Sequence, residues 1–167
     1  MDLRVLGKSP AWQDAGGACS GYLVEDEGAR VLLDCGSGVL GKLRAVVDYA
    51  DIDAVVVSHL HADHILDLVP YACALVYAPR HQPVPVDGWP GTEFPPRPPL
   101  HAPPGARDAF RRLCTATGMR DRHIEIAFTL EEYDPGQPLQ VGPFEVCLLY
   151  TSPSPRDLST SRMPSSA

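Results

Sequence analysis

Residues Asp53–His64 read "DAVVVSHLHADH", a β-branched apolar run leading straight into four potential metal donors. A short, continuously apolar segment of this kind is what a strand buried on both faces requires. Where a strand ends, residues i and i+2 still point to one side, so His59 and His61 can converge on a single ion. Asp63 and His64 lie where the chain turns into the next helix and can face a second ion nearby. Imidazole and carboxylate suit zinc, and the same donors accept manganese or iron. One zinc takes about four donors, so two ions need more ligands than this segment offers.

Upstream, Leu3–Leu6 is expected to form a first strand, followed by a Gly-rich loop, "DAGGACSG". Tyr22–Glu25 and Arg30–Asp34 read as a hairpin turning at Asp26-Glu27-Gly28. Val39–Tyr49 has helical spacing. Downstream, Ile65–Tyr77 returns to helical spacing with Ile65, Val69, Ala72 and Val76 on one face, and Pro70 should kink this helix or delay its start. Gly105–Gly118 is expected to be a helix with Phe110, Leu113 and Cys114 inward and Arg107, Arg111 and Arg112 outward. "HIEIAF" (123–128) and "FEV" (144–146) alternate as half-buried strands do. This order of elements predicts a layered α/β protein rather than a helical bundle.

Composition narrows the function. At 167 residues and 44% hydrophobic, the chain can bury one domain's core but not two. No apolar run approaches the roughly 20 residues of a membrane-spanning helix, and the N-terminus "MDLRVLGKSP" shows no export signal. Five cysteines without a C-x-x-C pair fit free thiols in a reducing cytoplasm. A net charge of -7 argues against a broad nucleic-acid footprint. The one dense basic cluster, "RDAFRR" (107–112), reads as a solvated helix face.

Two stretches stand apart. Residues 79–104 hold ten prolines and are expected to be mostly loop; Trp89 and Phe94 suggest a lid over a site, with a tolerated surface insertion the alternative. His81, His101 and His123 fall outside the histidine motif; His123 reads as an ordinary residue, and an approach of His81 or His101 to substrate from the loop is the minor alternative. The end, 147–167, is Ser/Pro-rich. Cys147–Asp157 resembles the conceptual translation of a transposase-type sequencing adapter, and Ser161–Ala167 resembles its continuation, with Leu158, Ser159 and Thr160 where a variable index falls. The expectation is a genuine domain over 1–146, cut within its fold, and a non-native tail over 147–167.

"SHLHADH" resembles the His-x-His-x-Asp-His signature of the metallo-β-lactamase fold superfamily, and "VLLDCGSG" (31–38) resembles the strand-Asp-x-Gly element preceding it there. "SHLHADHILDL", "LHAPPG" before a helix and "GPFEV" are closer to the ribonuclease Z-like branch. The resemblance implies the N-terminal part of an αββα sandwich. It implies a site for two zinc ions, or manganese or iron, with His59 and His61 on the first and Asp63 and His64 on the second. Asp63 would also orient the attacking water or take its proton. Asp34 would orient a ligand histidine, with capping of the Gly-rich turn as its alternative, and Ser58 would hydrogen-bond beside the site. The remaining ligands would come from strands and loops beyond "FEV", leaving half a metal site here.

The activity implied is hydrolysis, foremost of phosphodiesters. RNA is one such substrate, although the acidic balance speaks for something smaller, such as a cyclic nucleotide. The rivals are hydrolysis of a lactam, lactone or thioester, and an inactive fragment with an incomplete site. A homodimer is compatible with either enzyme reading, and no membrane partner is expected.

Overall fold

The structure, a computed structural model, describes residues 1–81 and 96–148. Its centre is a six-stranded sheet in sequence order: β1 (Asp2–Gly7), β2 (Gly21–Asp26), β3 (Ala29–Leu33), β4 (Ala54–Val56), β5 (Pro99–Ala102) and β6 (Thr129–Glu132). The first two pairings are antiparallel, and β3 to β6 run parallel. The β2–β3 hairpin closes through Glu27 and Gly28, both at positive φ (49° and 85°), the mirror-image turn that matches strand twist.

Register sorts the side chains into two faces. Leu23, Leu32, Val55, Leu100 and Leu130 are directly paired and share one face. They join a core with residues of α1 (Val39–Arg44), α3 (Leu68–His81), α4 (Ala106–Ala116) and α5 (His123–Ala127). Each fully buried aliphatic side chain there contributes about 1.5–3 kcal/mol. On the opposite face Val31, Ala54 and Val56 are covered by the small hairpin β7 (Leu139–Val141) and β8 (Phe144–Val146) through Val141. Leu3 and Val5 lie on that same face by register and are exposed. The layered α/β architecture is as the sequence predicts.

Several elements differ from expectation. "HIEIAF" is not a strand: His123–Ala127 is helical, and the strand begins at Thr129. Ile124, Ala127 and Phe128 are all buried, and their spacing fits a helical turn as well as alternation fits a strand. The Pro-rich 79–104 stretch is not all loop, since α3 runs to His81 and Pro99–Ala102 is an interior strand between β4 and β6. Pro99 is tolerated because it is the first residue of that strand. His101 is therefore a sheet residue, buried beside the Glu131 carboxylate (3.4 Å) and held below its ordinary pKa by burial, with Glu131 opposing. Trp89 and Phe94 lie outside the described residues, as do the side chain of His81 and most of the tail.

The helix expected over Val39–Tyr49 stops at Arg44, and Tyr49–Asp51 forms a separate 3-10 turn whose first N–H groups Asp48 caps through Ala50. Pro70 does delay its helix. A short α2 (Ala62–Ile65) precedes α3, and Pro70 sits in the first turn of α3, where its missing N–H would have had no intrahelical acceptor. The face of α3 that is buried is Leu68, Tyr71, Ala72 and Leu75 rather than the one centred on Val69 and Val76. All five cysteines are free thiols, as expected. Among the described residues no helix is long and apolar enough to cross a membrane.

Candidate metal centre

β3 and β4 are parallel neighbours with Leu33 opposite Val56, so the residues that follow them emerge side by side at one end of the sheet. Asp34 follows β3 in left-handed conformation (φ 59°), which Asp tolerates better than most residues, and it is buried. Its Oδ1 accepts the Ser58 N–H at 2.8 Å, and both carboxylate oxygens lie 2.9 Å from Ser58 Oγ. Its Oδ2 is 2.7 Å from His64 Nδ1. Asp34 thus contacts both Ser58 and His64, and the turn that it occupies is held by the same contacts.

The network fixes the ring tautomers. A carboxylate oxygen is the acceptor, so His64 Nδ1 is the donor there, and in the neutral form of the ring Nε2 carries the lone pair. The Ser58 hydroxyl donates to Asp34 and accepts from His59 Nδ1 at 3.0 Å, which leaves Nε2 of His59 as a lone pair too. Burial, and next the neighbouring His64 ring, hold His59 below its ordinary pKa, with Asp34 pulling the other way. A neutral imidazole with a free Nε2, braced by a carboxylate, is the state a metal-binding histidine needs.

Three rings are gathered here. His59 and His64 centroids are 3.8 Å apart, and His59 and His61 are 4.8 Å apart, edge to face. His61 is exposed at the start of α2, and Asp63 Oδ2 lies 3.5 Å from His64 Nε2. The chemistry of the donor set fits zinc, manganese or iron. Its number does not complete a site: among the described residues no group of three or more His, Cys, Asp or Glu side chains is arranged to hold a metal ion.

Three contributors were not singled out by sequence reading. Ser20, from the Gly-rich loop, places its Oγ 3.5 Å from His64 Nε2, and its N–H donates to the Asp63 carbonyl. Gly36 touches the Asp63 backbone so closely that an added Cβ would lie 1.9 Å from its carbonyl oxygen. Tyr133 hydrogen-bonds the carbonyls of Val57 and Ser58, and burial, with the charge of Asp34, pushes its hydroxyl pKa up to about 12. The glycine was readable as a close approach in "DCGSG"; nothing in "EEYDPG" marked Tyr133. His123 is buried away from the site, stacked on Tyr77 with Nε2 at 3.4 Å from Cys73 Sγ.

A mixed α/β sheet backed by helices carries the His-x-His-x-Asp-His turn at the end of an interior strand, a layered α/β fold with a histidine-rich turn. Residues 14–139 match the family described as the Metallo-beta-lactamase superfamily, and the chain belongs to it. The chain is 34% identical over 151 residues to the probable metallo-hydrolase YhfI of Bacillus subtilis, covering 90% of this chain and 54% of that protein. It is 37% identical over 140 residues to a ribonuclease Z of Halorubrum lacusprofundi, covering 82% of this chain and 39% of that one. The crystal structure of YhfI superposes with a TM-score of 0.63 at 29% identity, over 86% of this chain and 50% of that one. The chain thus spans about half the length of YhfI and about two fifths of that ribonuclease Z.

Proposed function

We propose that this chain carries one half of the catalytic site of a metal-dependent hydrolase acting on phosphodiesters. The observation that carries the reading is the Asp34 hub: one buried carboxylate sets Ser58 and His64, and through Ser58 it sets His59, so that two rings present Nε2. His59 and His61 would hold one divalent ion, and Asp63 and His64 a second. Zinc is the first choice by donor chemistry, with manganese and iron also compatible. When bound, such ions supply Lewis acidity and lower the pKa of water.

The chain's own residues do the rest. Asp34 and Ser58 aim the imidazoles through the Nδ1 side of each ring. Asp63, in the first turn of α2, holds an ionisable carboxylate where it can orient the attacking water and receive its proton. The likeness to proteins named ribonuclease Z favours a phosphodiester, RNA or a smaller one, over a lactam, lactone or thioester. The further ligands would lie beyond Val146, with 147–167 foreign to the domain, and a cytoplasmic enzyme fits the free cysteines.

The test begins by sequencing the source DNA across the codons for Val146 and Cys147, and by expressing the chain that its reading frame encodes. Cleavage of bis(p-nitrophenyl) phosphate that is abolished by chelation and restored by zinc is the expected result. Turnover of a chromogenic lactam or a thioester without phosphodiesterase activity would replace the substrate reading. A frame that encodes "CLLYTSPSPRD" and a product without turnover would overturn the enzyme itself.

A further inference from the structure

We infer that Tyr133 is a positioning residue for the metal-ligand turn, acting through the two peptide groups that precede His59; this rests on the metal-site reading above. Tyr133 directly follows β6, and its N–H extends the β5–β6 ladder by donating to the Ala102 carbonyl. From there its side chain crosses β5 to reach the end of β4. The single hydroxyl proton is shared between the carbonyls of Val57 and Ser58, each 3.0 Å away.

These carbonyls sit where β4 leaves its ladder. The Val57 N–H still donates to the His101 carbonyl, and beyond it the backbone turns out of the sheet toward the donors. Val57 is fully buried, so its carbonyl needs a partner from within the protein. Tyr133, itself buried, provides it.

The consequence falls on Ser58. Its N–H and Oγ are held from one side by Asp34, and its carbonyl from the other by Tyr133. With all three polar groups fixed, the peptide plane joining Ser58 to His59 cannot rotate, and that plane sets the direction of the His59 side chain. His59 Nδ1 returns to Ser58 Oγ at 3.0 Å, which closes the arrangement. Asp34 orients His64 directly, whereas Tyr133 orients His59 through the backbone. Nothing else about Tyr133 needs the hydroxyl, because the ring alone would fill its place in the core.

The experiment titrates zinc calorimetrically into the chain that the source reading frame encodes beyond Val146 (the parent), into its Tyr133→Phe variant and into its Tyr71→Phe variant. Tyr71 is a matched control, a buried tyrosine whose hydroxyl donates to the Tyr49 carbonyl, away from the donors. Expected is zinc binding by the parent, about tenfold or more weaker binding by Tyr133→Phe, and parental affinity in Tyr71→Phe. Equal affinity in the parent and Tyr133→Phe overturns the inference and leaves the metal-site reading intact. Equal weakening in both variants also overturns it, since a general loss of stability would then explain the effect. A parent that binds no zinc overturns the metal-site reading and this inference with it. If circular dichroism shows Tyr133→Phe unfolded, the parent decides: zinc must slow amide exchange at Ser58 and His59 and shift the Tyr133 ring resonances, and no change at these groups overturns the assignment.

Discussion

Replacing Asp34 separates what this carboxylate does for the fold from what it does for the histidines. It receives the Ser58 N–H at 2.8 Å, the Ser58 hydroxyl at 2.9 Å and the His64 Nδ1–H at 2.7 Å while nearly buried. Hydrogen bonds to a charged acceptor contribute about 1.5–3 kcal/mol each, with partial recovery where the orphaned donor can turn to water, as the exposed Ser58 can. In Asp34→Ala the left-handed backbone adds about 1–2 kcal/mol against an alanine. The net expectation for Asp34→Ala is a loss of about 3–5 kcal/mol in urea unfolding of the metal-free protein. Asp34→Asn keeps an oxygen for the Ser58 N–H and tolerates the backbone, so it should lose only about 1–2 kcal/mol. Its amide N–H₂, however, faces His64 Nδ1 and demands a lone pair there, which moves the ring proton to Nε2. Zinc affinity should therefore fall about 10–100-fold in Asp34→Asn although the fold survives. Calorimetric titration of zinc beside urea unfolding reads both effects. An Asn variant that binds zinc as the parent does refutes the tautomer argument, and an Ala variant within about 1 kcal/mol of the parent refutes the energetic one.

Two further outcomes follow from packing and charge. In Gly36→Ala the new methyl would lie 1.9 Å from the Asp63 carbonyl oxygen, so the turn must shift; a stability loss of about 1–3 kcal/mol with weakened zinc binding is expected, by the same two assays. Glu125 is held below its ordinary value of 4.5, first by the hydrogen bond from Arg111 and further by Arg107. Below that value the unfolded chain takes up a proton that the folded chain refuses, so this contribution is complete above pH 4.5 and fades as pH falls through the lower folded value. Glu125→Gln should flatten that acid limb in pH-dependent urea unfolding, and an unchanged slope would show that the Arg107–Glu125–Arg111 cluster contributes nothing.

The strands of the first third and β4 were legible because their hydrophobic pattern and turn chemistry agree. Glu27-Gly28 supplies the positive φ values that its hairpin needs, and "AVV" is apolar on both faces because both faces are covered. β5 was illegible for a physical reason: "PLHA" lies among prolines and carries a histidine, and only parallel pairing on both sides makes it a strand. "HIEIAF" failed through degeneracy, since five or six residues with apolar positions at 124, 126 and 128 fit both periods until Phe128 and Ala127 are seen to be buried together. The histidine turn could be read because its donors are adjacent in sequence. Tyr133 and Ser20 could not, because their contacts join residues 75 and 44 positions apart.

That contrast has one structural origin. Asp34 and Ser58 are 24 residues apart, yet they meet because β3 and β4 run parallel with Leu33 opposite Val56, so both chains leave the sheet at the same end. In an open parallel arrangement such strand ends are where ligand groups collect. A slip of β4 by one residue in that register would turn Ala54 and Val56 against the wrong layer and would carry Ser58 away from the carboxylate. The hydrophobic sorting that places Leu32 and Val55 against the helices, and Val31 and Val56 against the hairpin, is therefore the same constraint that holds the histidine tautomers. Core substitutions that loosen the β3–β4 register should reach the metal donors before they unfold the domain.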